Sequence, residues 1–282
     1  MHVLVAGAGW LGIALVKAFL ARGDRVTAVR RSSERLLLLQ QLGASALPLD
    51  LSGAHALDRL PRDLDAIVAC QSSKADSPDA YRAAYVDVNR TLVDAAGRGS
   101  ARALVYTSST GVFGQRDGRE VDEGTPPEPA SRTAEVLVEA EHVILEATAQ
   151  GLNAQLVRLS GLYGPGRYGV LDRVRSGALG LGPGDDAWMN FCHLEDAVAF
   201  VLAALDRGAS GAVHHGTDAH PVRRSDVVRW IADRLGIEPA TGVVASGPNR
   251  RILSERTRSV LQLELRYPSF REGLAGVAAP AG

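Results

Sequence analysis

The chain has 282 residues, 46% of them hydrophobic and 22% charged, with a formal net charge of −1. That size and balance suit one large α/β domain with a smaller lobe, and give no electrostatic case for nucleic acid or an anionic membrane surface as a partner. Two cysteines, Cys70 and Cys192, stand far apart in the sequence, which suits a reducing compartment rather than a disulfide framework, so a cytoplasmic location is expected.

The first twenty residues are apolar, yet Gly7, Gly9 and Gly12 interrupt them and Lys17 sits where an apolar run would continue. No positive segment leads into them, so they read as folded chain rather than as a leader or a membrane span. Residues 2–6 form a short apolar run ending in glycine, the pattern of a buried parallel strand. Leu11, Ala14, Leu15, Ala18 and Phe19 follow at helical spacing, and Gly23 stops that helix. A second strand is expected at 25–29, then a leucine-rich helix capped by Ser32 and ending near Gly43. A third strand covers 46–51 and a fourth 66–70. A long helix runs over 78–96, a fifth strand over 103–107, a helix over 134–149 and a sixth strand over 154–159.

Strands separated by helical stretches imply right-handed crossovers and a parallel sheet. The expected fold class is α/β, a doubly wound Rossmann sheet with a smaller C-terminal lobe. Beyond Gly161 glycine and proline become frequent, and the helices at 194–205 and 225–235 belong to that looser region. Residues 280–282 read as a frayed tail.

Gly7-Ala8-Gly9-Trp10-Leu11-Gly12 matches G-x-G-x-x-G, placed after a strand and opening a helix. In that context Gly7 permits the tight turn, Gly9 lets the backbone approach a pyrophosphate on the helix N-terminus, and Gly12 allows close helix–strand packing. A site specific for NAD has an acid at the end of the second strand; here Arg30, Arg31 and Ser32 follow Val29. Guanidinium groups there can bind a 2′-phosphate, which favours NADP(H), with NAD as the alternative. Asp50-Leu51 closes the third strand, where a side chain reaches toward the adenine amino group or instead makes an Asx turn. Cys70 at the end of the fourth strand, Gln71 just beyond it and Ser108 just beyond the fifth, with Trp10 and Leu11 in the glycine loop, complete the expected cofactor-binding set. Residues 1–160 are thus expected to bind the dinucleotide. Residues 161–282 are expected to form mainly a substrate lobe, with segments returning to the sheet.

Further stretches carry a family resemblance over nearly the whole chain. They are Tyr-Val-Asp-Val-Asn-Arg-Thr at 85–91, Val-Tyr-Thr-Ser-Ser-Thr-Gly-Val-Phe-Gly at 105–114, Arg-Leu-Ser-Gly-Leu-Tyr-Gly-Pro-Gly at 158–166, Asn-Phe-Cys-His-Leu-Glu-Asp at 190–196 and Arg-Tyr-Pro-Ser-Phe-Arg-Glu-Gly-Leu at 266–274. Together with the glycine loop they resemble the extended, or atypical extended, short-chain dehydrogenase/reductase family, the group of NAD-dependent epimerase/dehydratase proteins. The resemblance implies an enzyme acting on a small molecule by hydride transfer or by an epimerase/dehydratase-like reaction. It also implies a homodimer through the helices at 78–96 and 134–149, the second being apolar over much of its circumference.

One departure bears on chemistry. Catalysis in that family rests on Ser/Thr and a Tyr-x-x-x-Lys pair, in which the Lys lowers the Tyr pKa and holds the nicotinamide ribose. The only lysines here are Lys17 and Lys74, and no tyrosine lies between Tyr106 and Tyr163. Anchored on Glu141, which resembles the family's helix glutamate, the alignment puts Thr133 in the Tyr slot and Leu137 in the Lys slot. Ser109 matches the family serine, or is a strand-end residue bonded to local backbone. Tyr163 stands at the carboxyl end of a strand, where ligands bind, or packs. His142 falls on the face opposite Thr133 and reads as structural or surface. His193 reads as a packing residue, and no metal is expected. The leading reading is an NADP(H)-dependent enzyme with a non-standard proton arrangement. The alternative is a sensor that keeps the dinucleotide site without the chemistry.

Overall fold

The computed structural model describes residues 1–183, 187–243 and 247–277; the expected tail at 280–282 lies outside them. Seven strands form the main sheet: β1 (His2–Ala6), β2 (Arg25–Arg30), β3 (Ser45–Pro48), β4 (Ala66–Ala69), β5 (Ala103–Ser109), β6 (Asn153–Leu159) and β7 (Val213–Gly216), in the spatial order β7-β6-β5-β4-β1-β2-β3. β1 runs parallel between β2 and β4, with Val3 opposite both Val26 and Ala66. All five residues of β1 are buried, which is why its sequence is a continuous apolar run rather than an alternating one. The chain winds outward from β1 to β3 and then returns to β4 on the other side. That reversal opens a crevice at the carboxyl ends of β1 and β4, and α1 (Trp10–Ala21) rises from it.

Local details differ from the sequence expectation for identifiable reasons. β3 ends at Pro48, so Asp50 and Leu51 lie in the turn beyond it. Ser32 is not a helix cap: the helix Leu36–Gln41 starts from Arg35, which takes a left-handed conformation (φ 62°) and makes no side-chain cap. The long helix is Pro78–Tyr81, a π-helical stretch Arg82–Asp87 and Val88–Arg98, started by Ser77, whose hydroxyl accepts the Ala80 N–H. The helix Arg132–Glu146 begins earlier than expected because Ser131 caps it, accepting the Ala134 N–H. It then tightens into a 3₁₀ turn that stops at Gly151.

The chain divides into two compact units. The first comprises 1–112, 129–158 and 198–214; its core joins Leu4, Ile67, Leu104, Leu92, Ile144 and Leu156. The second comprises 113–128, 159–197 and the described residues from His215 onward. It is built on three two-stranded pairings: Gly161–Tyr163 with Phe191–His193, Trp188–Met189 with Val222–Arg223, and Glu120–Val121 with Arg251–Ile252. Tyr163, Phe191, Val227, Ile231 and Phe270 pack its core. Among the described residues, no helix is long and apolar enough to cross a membrane.

Candidate functional site

A cleft of about 400 Å³ opens in the first unit, floored by Gly7 and Gly9 and walled by residues following β2, β3 and β4 and by the helix that starts at Pro78. The glycine loop is shaped for close approach. Gly7 has φ +97°, and a Cβ there would come 2.4 Å from the Gln71 Cα. A Cβ at Gly12 would come 2.3 Å from the Gly7 carbonyl oxygen, so only glycine lets α1 press against the loop. A Cβ at Gly9 would meet no atom nearer than 3.9 Å, and that side of the loop is left open. No side chain caps α1 and no acid stands in its first turn. The helix dipole and its leading N–H groups therefore favour an anion there.

Arg30 lies along this cleft, its side chain only 16% exposed. Its Nη1 donates to the Ala8 carbonyl at 3.4 Å and its Nη2 to the Ser32 hydroxyl at 3.0 Å, while its buried Nε has no partner. Arg31 is exposed on the cleft wall. Asp50 makes the Asx turn: its Oδ1 accepts the Ser52 N–H at 3.0 Å and the Ser52 hydroxyl at 2.7 Å. The Ser52 hydroxyl bond chiefly holds its carboxyl below the usual range, and Arg31 adds to this. The carboxylate is thus engaged locally while Asp50 still lines the cleft.

Of the cofactor-binding residues expected from sequence, Gly7, Gly9, Arg30, Arg31, Ser32, Asp50, Leu51 and Gln71 line the cleft; Trp10, Leu11, Gly12, Cys70 and Ser108 do not. Trp10 and Leu11 form the first turn of α1. The Cys70 thiol donates to the Gly7 carbonyl at 3.4 Å; burial pushes its pKa up to about 12, so it is a neutral packing group. The Ser108 hydroxyl donates to Glu141 at 2.6 Å, and Glu141 also accepts from Arg158 at 2.9 and 2.7 Å. Ser52, Ser72, Ser73 and Lys74 line the cleft as well, and the reading of the sequence passed over them. Lys74 carried a signal, being one of two lysines and close behind the fourth strand.

The residues named for catalysis are placed as follows. The Ser109 hydroxyl accepts the Gly111 N–H at 3.0 Å, and Ser109 is half-buried. Leu137 reaches the same turn: its Cδ1 lies 3.9 Å from the point where a Cβ on Gly111 would stand. Hydrocarbon therefore fills the position that the resemblance assigns to the lysine. The Thr133 hydroxyl lies 3.0 Å from that of Ser131 in the first turn of the helix. Tyr163 is in the second unit, 2% exposed. Its hydroxyl donates to the Ser269 carbonyl at 3.4 Å, and a Cβ on Gly273 would come 2.0 Å from that hydroxyl. Burial pushes its phenol far up, and its ring stands edge-on to Phe191 and His193. This is the environment of a packing residue. His142 is exposed. His193 stacks against Tyr267 at 3.7 Å, and its Nδ1 accepts the Glu195 N–H; burial lowers its pKa. Among the described residues, no three His, Cys, Asp or Glu side chains gather as a metal-binding group.

The model of the NAD dependent epimerase/dehydratase family matches residues 3–216. The chain is 29% identical to Protein YeeZ of Escherichia coli (strain K12) over 275 residues, covering 94% of this chain and 96% of that protein. It is also 29% identical to a 3-diazoavenalumate denitrifying reductase of a Streptomyces species over 309 residues, covering 97% and 99%. Its fold resembles that of a short-chain dehydrogenase/reductase superfamily protein from Agrobacterium tumefaciens with bound NAD. There the TM-score is 0.85, the identity 19%, and the coverage 99% and 96%.

Proposed function

The chain belongs to the NAD-dependent epimerase/dehydratase family, and within it we propose an NADP(H)-dependent oxidoreductase acting on a small molecule. A nicotinamide dinucleotide supplies or takes up a hydride when bound. The protein's part is to hold it. The Gly7–Gly12 turn and the start of α1 receive the pyrophosphate, and Arg30, Arg31 and Ser32 receive the 2′-phosphate. The observation that carries the preference for NADP(H) is Arg30, mostly buried in the cleft wall with an unpartnered Nε, where an NAD-specific site has an acid. A fluorescence titration with NADPH and NADH tests it, with NADPH expected to bind more tightly. Arg30→Asp removes a charge-assisted partner and adds a repulsive one, and should weaken NADPH selectively by about tenfold or more. Equal or tighter binding of NADH by the native chain would sink the proposal.

Proton delivery in this reading does not use a tyrosinate. Thr133, Leu137 and Ala140 stand at helical spacing on one face of the helix Arg132–Glu146, and none has a titratable side chain near neutral pH. Such a site suits an acceptor that takes hydride without a proton from this helix, as an iminium carbon does. The name of the Streptomyces relative, a denitrifying reductase of a diazo compound, supports the same idea: where the leaving nitrogen is carried as a diazonium cation, hydride replacing dinitrogen forms a C–H bond and releases N₂ with no proton consumed. Ser109 is left as the hydrogen-bonding group at the end of β5. That relative's being a reductase supports an enzyme over a sensor. The proposal includes a homodimer through the helices Pro78–Arg98 and Arg132–Glu146 and a cytoplasmic location, which two free, buried cysteines suit.

A further inference from the structure

Gln71 stands immediately after β4, pressed against the glycine loop, with its Cα 2.4 Å from where a Cβ on Gly7 would be. It lines the cleft, and hydrogen-bond polarity fixes which end of its amide faces which way. The Ala140 carbonyl can only accept, so fully buried Asn89 turns its Nδ2 toward it, at 2.9 Å. The Asn89 Oδ1 then faces Gln71 and can only accept, so Gln71 must donate from Nε2, at 2.8 Å. The remaining atom, Gln71 Oε1, is a buried acceptor with no hydrogen-bond partner. Buried acceptors are nearly always paired, and one left unpaired on a residue that lines a cleft is explained by a ligand that supplies the donor.

The sheet order says which part of the ligand that is. β1 lies between β2 and β4, and neighbouring strands are about 4.8 Å apart. Arg30 at the end of β2 and Gln71 after β4 therefore flank the glycine loop on opposite sides. With the 2′-phosphate on the Arg30 side and the pyrophosphate on the loop, the other half of the dinucleotide passes over the end of β4. We infer that Gln71 Oε1 accepts a hydrogen bond from a hydroxyl of the nicotinamide ribose, with Ala140 and Asn89 acting as positioning groups behind it. This inference rests on the dinucleotide reading above. It supplies a hold on that ribose in a chain where Leu137 occupies the position of the lysine that holds it in the resembled family.

Titration of the full chain with NADP⁺ and with 2′,5′-ADP, which lacks the nicotinamide and its ribose, separates this role from a structural one. Gln71→Met keeps the length of the side chain and removes the acceptor; Gln71→Ala removes it without introducing bulk, and a thermal melt checks that each folds. Both variants should bind NADP⁺ about three- to tenfold more weakly, the range for one lost hydrogen bond, with 2′,5′-ADP affinity unchanged within about twofold. NADP⁺ affinity unchanged in either folded variant overturns the inference, as does a parallel loss of 2′,5′-ADP affinity. If the native chain binds neither ligand, the dinucleotide reading fails first, and this inference fails with it.

Discussion

Asp218 is 3% exposed in the second unit. Burial pushes its carboxyl well above the ordinary 3.8, with Asp196 and Glu272 adding to the shift and the His220 N–H opposing it. A carboxyl so placed keeps its proton in the fold while the unfolded chain loses it near the ordinary value. Between the two pKa values the folded state holds one more proton, so stability falls as pH rises and levels off once Asp218 itself ionises. Asp218→Asn removes that proton without changing the shape. Its stability relative to the native chain should therefore rise with pH above about 4. Thermal melts of both proteins across pH 4 to 9 measure the difference, and a difference independent of pH would contradict the argument.

At the scale of elements, the Glu141–Arg158 pair fastens the helix Arg132–Glu146 to β6, with the side chains 2% and 5% exposed. The Ser108 hydroxyl brings β5 to the same carboxylate. Attraction between two such charges is offset by the loss of their hydration, but removing one partner leaves a buried charge without its counterpart. Glu141→Leu should cost about 3–5 kcal/mol of unfolding free energy, and the double replacement Glu141→Leu with Arg158→Met should recover most of it. Denaturant midpoints for the single and double variants give both numbers; a single variant costing under about 1 kcal/mol would show that the pair is not a fastening. In the same helix Ser131 caps the N-terminus, Thr133 bonds to Ser131, and Leu137 lies against the Ser109 turn.

At the scale of the whole molecule, the apolar circumference of that helix bears on assembly. Val136, Leu137, Ala140 and Ile144 are buried within the chain, while Val138, Val143 and Leu145 are only half-buried. On the outer side Glu139 accepts from Arg82 at 2.5 and 2.6 Å and lies 3.6 Å from Arg90, joining the helix to the one before it. A second copy laid across these two helices would cover the half-exposed valines and leucine. Light scattering at micromolar concentration should therefore give a dimer mass. Glu139→Arg, which sets three guanidinium groups side by side, should shift it toward monomer. Monomer alone from the native chain would end the proposal.

The sequence by itself determined six of the seven strands and the glycine loop, because each is local; the strand Val213–Gly216 was not legible in it. Burial on two faces demands unbroken apolar runs such as Val3-Leu4-Val5, and the turn from β1 into α1 needs its glycines within six residues of one another. The arginines at the end of β2, Arg30 as its last residue and Arg31 next to it, were legible for the same reason, since their position is fixed by counting from a strand end. The sequence left Asp50 between an adenine contact and an Asx turn, because a strand that ends at Pro48 rather than at Leu51 leaves its carboxylate free to turn back on Ser52. Nor did it reveal which end of the Gln71 amide is paired, since that is set by Asn89, 18 residues away, and through it by Ala140, a further 51. By sequence Tyr163 is expected at a strand end open to a ligand, yet Ser269, 106 residues on, takes its hydroxyl, and Gly273 leaves no space beside it. Strand positions and glycine spacing follow from short-range sterics and hydrophobic pattern. Which polar atoms are satisfied and which are left open depends on contacts between distant segments, and only the tertiary structure decides those.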